Sequence, residues 1–550
     1  MVVATLQIGS IVNENTTEEE EEEEDEKEIE NNDDDEGFHI GQQVQAHIPD
    51  IVLNNLDDLI DNQGNILIPN EHMYNQATLL FLDVSGFTSL TEQYSNDAHL
   101  GIDQLTHTLN SYFDKLVSEI LIHNGDIYKF AGDAILALWT HESNGPEQAL
   151  KCALSLQERY GAYETNVDVI LRMKVAIAYG SVRVLFIGTD EFKHYILTGD
   201  CIKDVNSCEQ LCEPGDIIIT KAVYEQVQKF SLNCEYASIG DESDRNDQYI
   251  AYQSSQELSN GHRSIESKTH SCSLVADSND EELDDKIDNL MKSFLLGCVY
   301  QRIERKQSLD YLSELRRVTI TFINLDISDE QHAETDLCQN VQKVFIQIYE
   351  LNKMMGGVLT KALLFDKGWS FLCVFGLPGY KQGDDTANAL KCAHMIHSTI
   401  NKQLGGNWFD LICGVVGHVA RCEYTVIGRK VNLAARLMCN YPNIISCDQE
   451  TYYNSRLNSR FFQILPDKIL KGMHNVGIIW QYGENQDNVQ IQNNSNQKEN
   501  INLSNGNYPL LGRKLELMII ATQIMLMDEP ENKRRDLAAI IFEGLYTNSI

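Results

Sequence analysis

Hydrophobic and polar positions follow a strand and helix pattern in two separate regions of the chain, and the first region shows it most clearly. The run ATLLFLDVSGFTSL (77–90) is apolar and β-branched, and then changes to a helical pattern. NGDIYKFAGDAILALWT (124–140) predicts two strands around a tight turn. VAIAYGSVRVLFIG (175–188) and HYILTGDCIKDVNSCEQL (194–211) predict a strand pair followed by a helix, and EPGDIIIT predicts a closing strand. Strands alternating with helices imply a sheet covered by helices on at least one face.

The second region repeats these segments in the same order. The counterparts are VTITFINLDISDEQ (318–331), GGVLTKALLFDKGWSFLCVFG (356–376), ICGVVGHVARC (412–422) and EYTVIGRKVNLAARLM (423–438), with YPNIISC as the closing strand. Three pairs of matching positions lie 241, 235 and 229 residues apart: Phe81 with Phe322, Phe130 with Phe365, and Gly199 with Gly428. This steady offset indicates a duplication. Two copies that pack against each other can form a site at their interface.

Composition and charge narrow the class of protein. The chain has 550 residues, of which 43% are hydrophobic, and this fraction is that of a globular protein. With 43 Lys and Arg against 82 Asp and Glu, the formal net charge of −39 excludes a general nucleic-acid binder. The sequence contains no apolar run of about 18 residues and no signal-peptide pattern at its start. We therefore expect a soluble, cytoplasmic protein without a transmembrane segment.

Changes in composition along the chain predict five parts. Residues 18–36 contain 15 acidic residues and one lysine, so that segment cannot bury enough apolar surface to fold and is expected to be disordered. A scarcity of apolar residues within 238–288 and an Asn- and Gln-rich stretch at 484–507 indicate linkers or loops. The predicted parts are an acidic tail (1–43), a first copy (44–255), a linker (256–310), a second copy (311–485) and a carboxyl-terminal segment (486–550).

Two aspartates of the first copy are candidate metal ligands. Asp83 ends an apolar strand, and the turn after it, followed by a helix start, is a suitable anion cradle for phosphate. Asp133 lies 50 residues later in the hairpin turn FAGDAILALW. Two carboxylates at one edge of a sheet can bind two divalent metal ions that activate a hydroxyl and hold a triphosphate. Because Gly-Asp turns are also common on protein surfaces, a solvated turn remains an alternative for Asp133.

The two copies differ at these positions. The second copy has Asn324 and Gly368 where the first has the two aspartates, so it cannot form the same metal site. It has instead Asn432 and Arg436, four residues apart and on the same face of a predicted helix. That pair, seen alone, is more often a helix cap and a surface arginine. The asymmetry between the copies favours one composite site and one degenerate site.

These motifs resemble those of the class III nucleotidyl cyclases, and most closely those of the soluble, bicarbonate-responsive adenylyl cyclases with tandem cyclase domains. The resemblance covers about residues 44–485 and includes FLDVSGFTSL, FAGDAILALW, LCVFGLPG, YTVIGRKVNLAARLM and LKGMHNVG in order. It implies an α+β fold: two ferredoxin-like βαββαβ domains, packed head to tail with pseudo-twofold symmetry, with one active site in the groove between them.

The resemblance also assigns roles to residues of the first copy. Asp83 and Asp133 would bind two Mg²⁺ ions, one of which Ca²⁺ or Mn²⁺ could replace, and the carbonyl of Val84 would assist. The positions implied to hold the triphosphate are the amides of Gly86, Phe87 and Thr88 and the side chain of Lys174.

In the second copy, Asn432 would orient the ribose and Arg436 would neutralise charge on the pentavalent α-phosphate. Lys361, Thr425 and Val426 match positions that contact the purine. A lysine donates to N1 of adenine, which is an acceptor, whereas N1–H of guanine would need an acceptor such as Glu. The implied reaction is attack of the ribose 3′-hydroxyl on the α-phosphorus of ATP, which gives cyclic AMP and pyrophosphate. A guanylyl cyclase is disfavoured by Lys361, and a catalytically silent nucleotide- or ion-binding module is disfavoured because the motif residues are intact.

Two parts of the chain depart from the family pattern. Bicarbonate-responsive members have a lysine before the FAGD motif, which Lys129 matches, and an arginine where this chain has Asn206. Without that second cation, we expect bicarbonate to be a poor ligand. Residues 486–550 resemble the start of an ATPase-like module, but no phosphate-binding loop G-x-x-x-x-G-K-[ST] follows, so a truncated module without ATPase activity is expected. The tether between the copies favours a monomer with an intramolecular domain pair.

Overall fold

A computed structural model of the protein shows the fold of its two repeated regions. The residues that it describes are 41, 43–61, 63–95, 101–140, 144–230, 234–239, 248–253, 281–306, 314–315, 318–325, 337–365, 368–400, 412–418, 421–427, 429–468, 470 and 476–483. The acidic segment 18–36 and the carboxyl-terminal segment 486–550, for which a truncated ATPase-like module was predicted, lie outside them. Among the helices in this described part, none is both long enough and apolar enough to cross a membrane.

The first copy is built on a nine-stranded sheet with the main strand order β2-β3-β1-β5-β7-β9-β8, and β4 and β6 also pair with β5. All its pairings are antiparallel except that of β5 with β7. The strands are β1 (Asn70–Ser85), β2 (Asp126–Ala131), β3 (Ala134–Trp139), β4 (Ala162–Glu164), β5 (Ile170–Gly188), β6 (Lys193–Thr198), β7 (Ile217–Thr220), β8 (Cys234–Ile239) and β9 (Gln248–Gln253).

Helices precede the sheet and connect its strands. They are α1 (Asp50–Leu53), α2 (Phe87–Ser95), α3 (Gly101–Ile122), α4 (Gly145–Tyr160), α5 (Asp200–Leu211) and α6 (Lys221–Val227). These bounds confirm the strand, hairpin and helix pattern predicted for the first region.

Both faces of the first sheet are buried, and the alternation of side chains along β1 shows how. Leu80 and Leu82 point into a core that includes Phe113 and Leu116 of α3. Leu79 and Phe81 alternate with them along the strand and point to the opposite face, where they belong to a second core that also contains residues of the second copy. Because successive side chains of a strand face opposite sides of the sheet, one face packs on the copy's own helices and the other on the neighbouring copy.

The second copy repeats the first strand and hairpin as the sheet β11-β13-β12, and its other described strands form the sheets β10-β14-β15 and β16-β18-β17. The strands are β10 (Glu314–Leu315), β11 (Thr319–Leu325), β12 (Gly357–Phe365), β13 (Gly368–Phe375), β14 (Ile412–His418), β15 (Arg421–Ile427), β16 (Ile445–Cys447), β17 (Phe462–Ile464) and β18 (Trp480–Tyr482).

The region from 281 onwards also contains α7 (Glu281–Ser293), α8 (Gly297–Glu304), α9 (Leu337–Met354), α10 (Asp385–Ile400), α11 (Arg429–Asn440) and α12 (Gln449–Ser455). Two of these helices, α7 and α8, fall inside the segment 256–310 that we predicted as a linker. Their apolar residues Leu290, Cys298, Val299 and Ile303 are buried in the core shared by both copies. This part of the connection is therefore packed structure, and its many polar residues belong to the solvent-facing sides of amphipathic helices.

The segment before β1 contacts both copies. The carboxylate of Asp126 in β2 accepts hydrogen bonds from the backbone N–H groups of Asp50 (3.0 Å) and Ile51 (2.8 Å) at the start of α1. The carbonyl of Ala46 accepts a hydrogen bond from the backbone N–H of Cys422 in β15, at 2.9 Å. The amino-terminal segment thus connects β2 of the first copy with β15 of the second.

Candidate functional site

The backbone brings the two candidate metal ligands to the same end of the first sheet. Asp83 of β1 lies opposite Ala134 of β3, and Asp133 is the turn residue immediately before Ala134. The backbone N–H of Val84 donates to the backbone carbonyl of Asp133 at 3.2 Å. The side chain of Asp83 is 25% exposed, so it is accessible to a ligand. The structure therefore places the backbones of the two predicted ligands next to each other at the hairpin end.

Glycine is required at the turn that follows β1. Gly86 has φ of +100°, which L side chains rarely adopt, and a Cβ there would lie 3.1 Å from the carbonyl of Ile170. Helix α2 begins at Phe87, so backbone N–H groups at its start are directed towards the end of β1. The buried ring of Phe87 anchors the helix start in the core. Thr88 lies in the first turn of α2, but its side chain is outside the described part of the structure.

Lys174 lies beside Asp83 because the two residues face each other across β1 and β5. Its Nζ is 3.3 Å from Oδ2 of Asp83 and 2.5 Å from Oε1 of Glu209 in α5. Burial opposes the charged form of this lysine, but the carboxylates of Glu209 and Asp83 outweigh burial and raise the pKa of Lys174. A protonated lysine is therefore present next to the carboxylate pair and within reach of an anionic ligand.

The carboxylate pair suits Mg²⁺, which needs few protein ligands, better than a metal ion that is bound wholly by protein side chains. Across the described ranges, no group of three or more His, Cys, Asp and Glu residues could hold a metal ion. The ammonium of Lys174 beside Asp83 shows that a cation is accommodated at that carboxylate. Mg²⁺ is usually bound through one or two carboxylates, with waters and substrate phosphates as the other ligands. Asp83 and Asp133, with the carbonyl of Val84, match that requirement.

The residues predicted from the second copy lie on β12, β15 and α11. Asn432 and Arg436 are both in α11, which confirms the predicted helix, and Arg436 is partly exposed. The carbonyl of Arg436 accepts a hydrogen bond from the Asn440 side chain at 2.8 Å. Thr425 and Val426 lie on β15. The side chains of Asn432, Thr425 and Val426 are outside the described part, so their assigned roles stay predictions.

Lys361 joins the two copies directly. It lies on β12 and is only 3% exposed. Its Nζ donates a hydrogen bond to the backbone carbonyl of Phe130 in β2 and lies 3.1 Å from Oε1 of Glu423. Phe130 is three residues before Asp133, so the lysine predicted to contact the purine is bound to the hairpin that contains a predicted metal ligand.

Glu423 and Arg421 are residues of this interface that we did not identify from the sequence. Oε2 of Glu423 accepts a hydrogen bond from the backbone N–H of Phe130 at 3.0 Å. The guanidinium of Arg421 donates to the carbonyls of Ile127 (2.9 Å) and Tyr128 (3.3 Å). Since β2 is the edge strand of its sheet, these side chains satisfy backbone groups that would otherwise be unpaired. The alternation of charged and apolar residues in RCEYTVI was the one available signal.

The charges of this interface are buried but mutually compensating. Burial by itself raises the pKa of Glu423, yet the cations Lys361, Arg421 and Lys129 outweigh burial and lower the pKa of that carboxyl. Burial lowers the pKa of Lys361, and the negative charge of Glu423 opposes that decrease. Removing one member of such a group leaves its partners charged and buried, which is strongly destabilising. We infer that the second copy holds the hairpin edge in one fixed position.

Lys129, the candidate for a regulatory anion site, is also buried in this interface. Its Nζ lies 3.1 Å from Nε2 of His194 and 3.0 Å from the carbonyl of Ala362 on β12. Burial lowers the pKa of Lys129 to about 7, and the nearby cations Lys361 and Arg421 add to the decrease. Burial also lowers the pKa of His194 well below its usual value, so this imidazole is neutral. Oδ1 of Asn206 is buried and accepts no hydrogen bond within the described residues.

Comparisons with known proteins identify the family that this chain resembles. Residues 70–243 match the family model of the adenylate and guanylate cyclase catalytic domain. The chain is 32% identical over 511 residues to adenylate cyclase type 10 of Homo sapiens, and the match covers 86% of this chain and 30% of that protein. It is 32% identical over 467 residues to adenylate cyclase type 10 of Oryctolagus cuniculus, with 80% and 28% covered. The chain thus spans about a third of the length of the curated relatives it matches.

A solved structure, that of the adenylyl cyclase CyaB from P. aeruginosa, matches 34% of this chain and 99% of that chain at 20% identity. Its TM-score of 0.28 is too low to support an argument from superposition. The family assignment rests instead on the matched catalytic domain and on the level of identity to the curated relatives. The chain therefore contains a catalytic domain of the class III nucleotidyl cyclase family.

Proposed function

We propose that the protein is an adenylyl cyclase that converts ATP to 3′,5′-cyclic AMP and pyrophosphate. The site would lie between the two copies, with the metal and phosphate groups on the first and the base, ribose and transition-state groups on the second. One observation supports this proposal most: the buried side chains of Lys361 and Glu423 bind the backbone of Phe130, three residues from Asp133. The predicted base-binding and metal-binding elements are thereby parts of one packed unit.

The chemistry assigned to each residue follows from its charge and position. Two Mg²⁺ ions bound to Asp83 and Asp133 would lower the pKa of the 3′-hydroxyl and stabilise the leaving pyrophosphate, and Ca²⁺ or Mn²⁺ could replace one of them. Lys174 and the backbone N–H groups at the start of α2 would neutralise the triphosphate. Asn432 would orient the ribose. Arg436 would neutralise charge that develops on the α-phosphate.

The base preference follows from the donor on Lys361. Its ammonium can only donate, and N1 of adenine is an acceptor, whereas N1 of guanine has a hydrogen to donate. Burial lowers the pKa of Lys361, and the negative charge of Glu423 opposes that decrease and so favours the charged, donating form of the lysine. This arrangement favours ATP over GTP.

Further contacts between the copies support a head-to-tail pair of cyclase domains with pseudo-twofold symmetry. Gln342 of α9 bonds both backbone groups of Gly188 at the end of β5, at 2.8 and 2.6 Å. Helices α7 and α8 connect the copies and pack into their shared core. We infer that the productive groove forms within one chain and that the protein acts as a monomer.

The proposed activity is tested by measuring the cyclic nucleotides that the protein forms from equal concentrations of ATP and GTP in the presence of Mg²⁺ or Mn²⁺. We expect cyclic AMP as the main product and no reaction after chelation of the metal. Preferential formation of cyclic GMP would contradict the role of Lys361. Absence of any cyclic nucleotide, with nucleotide binding retained, would instead favour a silent regulatory module.

Bicarbonate is expected to change turnover by less than about twofold at constant pH, because Asn206 offers no cation to pair with an anion beside Lys129. Introducing a cation by Asn206→Arg should create or enhance a bicarbonate response. Initial rates at fixed pH and ionic strength, with chloride in place of bicarbonate as the control, measure the effect. A severalfold rise in the unmodified protein would contradict the prediction.

A further inference from the structure

A third carboxylate lies next to the predicted metal and phosphate groups. Glu209 of α5 and Asp83 of β1 both contact the ammonium of Lys174, at 2.5 Å and 3.3 Å respectively. The side chains of Glu209 and Lys174 are each 18% exposed, and that of Asp83 is 25% exposed. One lysine is therefore shared between two partly buried carboxylates. The sequence alone assigned no role to Glu209.

The two contacts of Lys174 have different consequences for a metal ion. A lysine that stays on Asp83 occupies a ligand of the divalent cation and repels that cation. A lysine that moves away from Asp83 needs another anion, because an unpaired charge in a partly buried position is unfavourable. Glu209 provides that anion at the shorter of the two distances.

We propose that Glu209 is a positioning residue that keeps the ammonium of Lys174 paired when a divalent metal takes its place at Asp83, so that Asp83 becomes available to the metal and Lys174 remains available to the triphosphate. This inference rests on the proposed function, since it requires a metal ion at Asp83. Helix α5 packs on β5, which contains Lys174, so Glu209 is presented from a fixed backbone. With a metal at Asp83, Lys174 would keep Glu209 as its anionic partner. With a triphosphate bound, the phosphate oxygens would replace Glu209 as the partner of Lys174.

Removing the charge of Glu209 should weaken metal binding through Lys174. In Glu209→Gln, Lys174 has only Asp83 as an anionic partner, so we expect binding of Mn²⁺ to the nucleotide-free protein to weaken about 10-fold. The half-saturating Mg²⁺ concentration for turnover should rise in parallel. Glu209→Asp, which retains the charge, should recover most of the loss. Glu213→Gln, at an exposed glutamate four residues away, makes the same change in net charge and should alter Mn²⁺ affinity less than about twofold.

A double-mutant cycle separates this role from simple attraction between Glu209 and the metal. Electron paramagnetic resonance of free Mn²⁺ gives the affinity of the full chain, Glu209→Gln, Lys174→Gln and the double variant. We expect Lys174→Gln to strengthen Mn²⁺ binding and to reduce the effect of Glu209→Gln at least threefold. An equal loss in both backgrounds would overturn the proposal, because it would show that Glu209 acts on the metal without Lys174.

The Asp83→Ala variant separates failure of this inference from failure of the proposed function. If Asp83→Ala leaves Mn²⁺ binding unchanged, the metal does not bind at Asp83, and both the positioning role and the proposed function would be overturned. Binding that requires Asp83 but is insensitive to Glu209→Gln would overturn the positioning role alone.

Discussion

Replacing Asp83 or Asp133 by alanine is expected to abolish metal-dependent formation of cyclic AMP, with a loss of at least about 10³-fold. Each change removes one carboxylate from a pair that is meant to hold both metal ions, and the metals supply the activation of the hydroxyl and of the leaving group. The fold should persist, since Lys174 keeps its contact with Glu209 when Asp83 is removed. Initial rates with saturating ATP and Mg²⁺ measure the loss.

Asn324→Ala is a matched control for Asp83→Ala, because Asn324 occupies the corresponding strand position in the second copy. It should retain at least about half of the turnover, since no metal ligand is lost. Thermal unfolding of all three variants establishes that they are folded. Turnover close to that of the unmodified protein in Asp83→Ala or Asp133→Ala would show that the metal assignment is wrong.

Arg436→Ala should lower kcat by about 10²–10³-fold and change the affinity for ATP much less. The reason is that its charge is used mainly when negative charge accumulates on the α-phosphate in the transition state. Single-turnover rates and equilibrium binding of a non-reactive ATP analogue measure the two effects separately. Arg305→Ala, at an exposed position after α8, is the control for loss of a positive charge. Equal losses in binding and in rate would indicate that Arg436 only anchors the substrate.

Much of the fold was predictable because it depends on local patterns. Apolar runs and turn residues predicted β1, the β2-β3 hairpin and helix α11. The repeated order of segments indicated the duplication. Asp83 and Asp133 lie together because β3 of the β2-β3 hairpin pairs with β1 in a fixed register. The helices α7 and α8 were missed because their polar faces gave the segment a linker-like composition.

Residues whose role depends on contacts between the copies were not predictable. Arg421 and Glu423 resemble ordinary strand residues until the structure places them against β2, the edge strand of the first sheet. Glu209 is one of many helix glutamates, and only its distance to Lys174 distinguishes it. Contacts of this kind join residues more than 30 positions apart, and hydrophobic periodicity contains no information about them.

One chain is expected to assemble one active site from both copies. The copies are covalently linked, and the effective concentration of one for the other is on the order of millimolar, well above that of a second chain in solution. Asp83→Ala and Arg436→Ala, each made in the 550-residue chain, remove a predicted catalytic group from a different copy. If the site forms within one chain, neither variant can complete the other.

The direct measurement is therefore the rate of cyclic AMP formation by an equimolar mixture of Asp83→Ala and Arg436→Ala. The controls are each variant alone and the unmodified protein mixed with either variant. A site formed within one chain predicts that the mixture is no more active than the sum of the two variants. Recovery to about a quarter of the unmodified rate, the statistical limit for exchanged copies, would contradict it and show that the groove forms between chains.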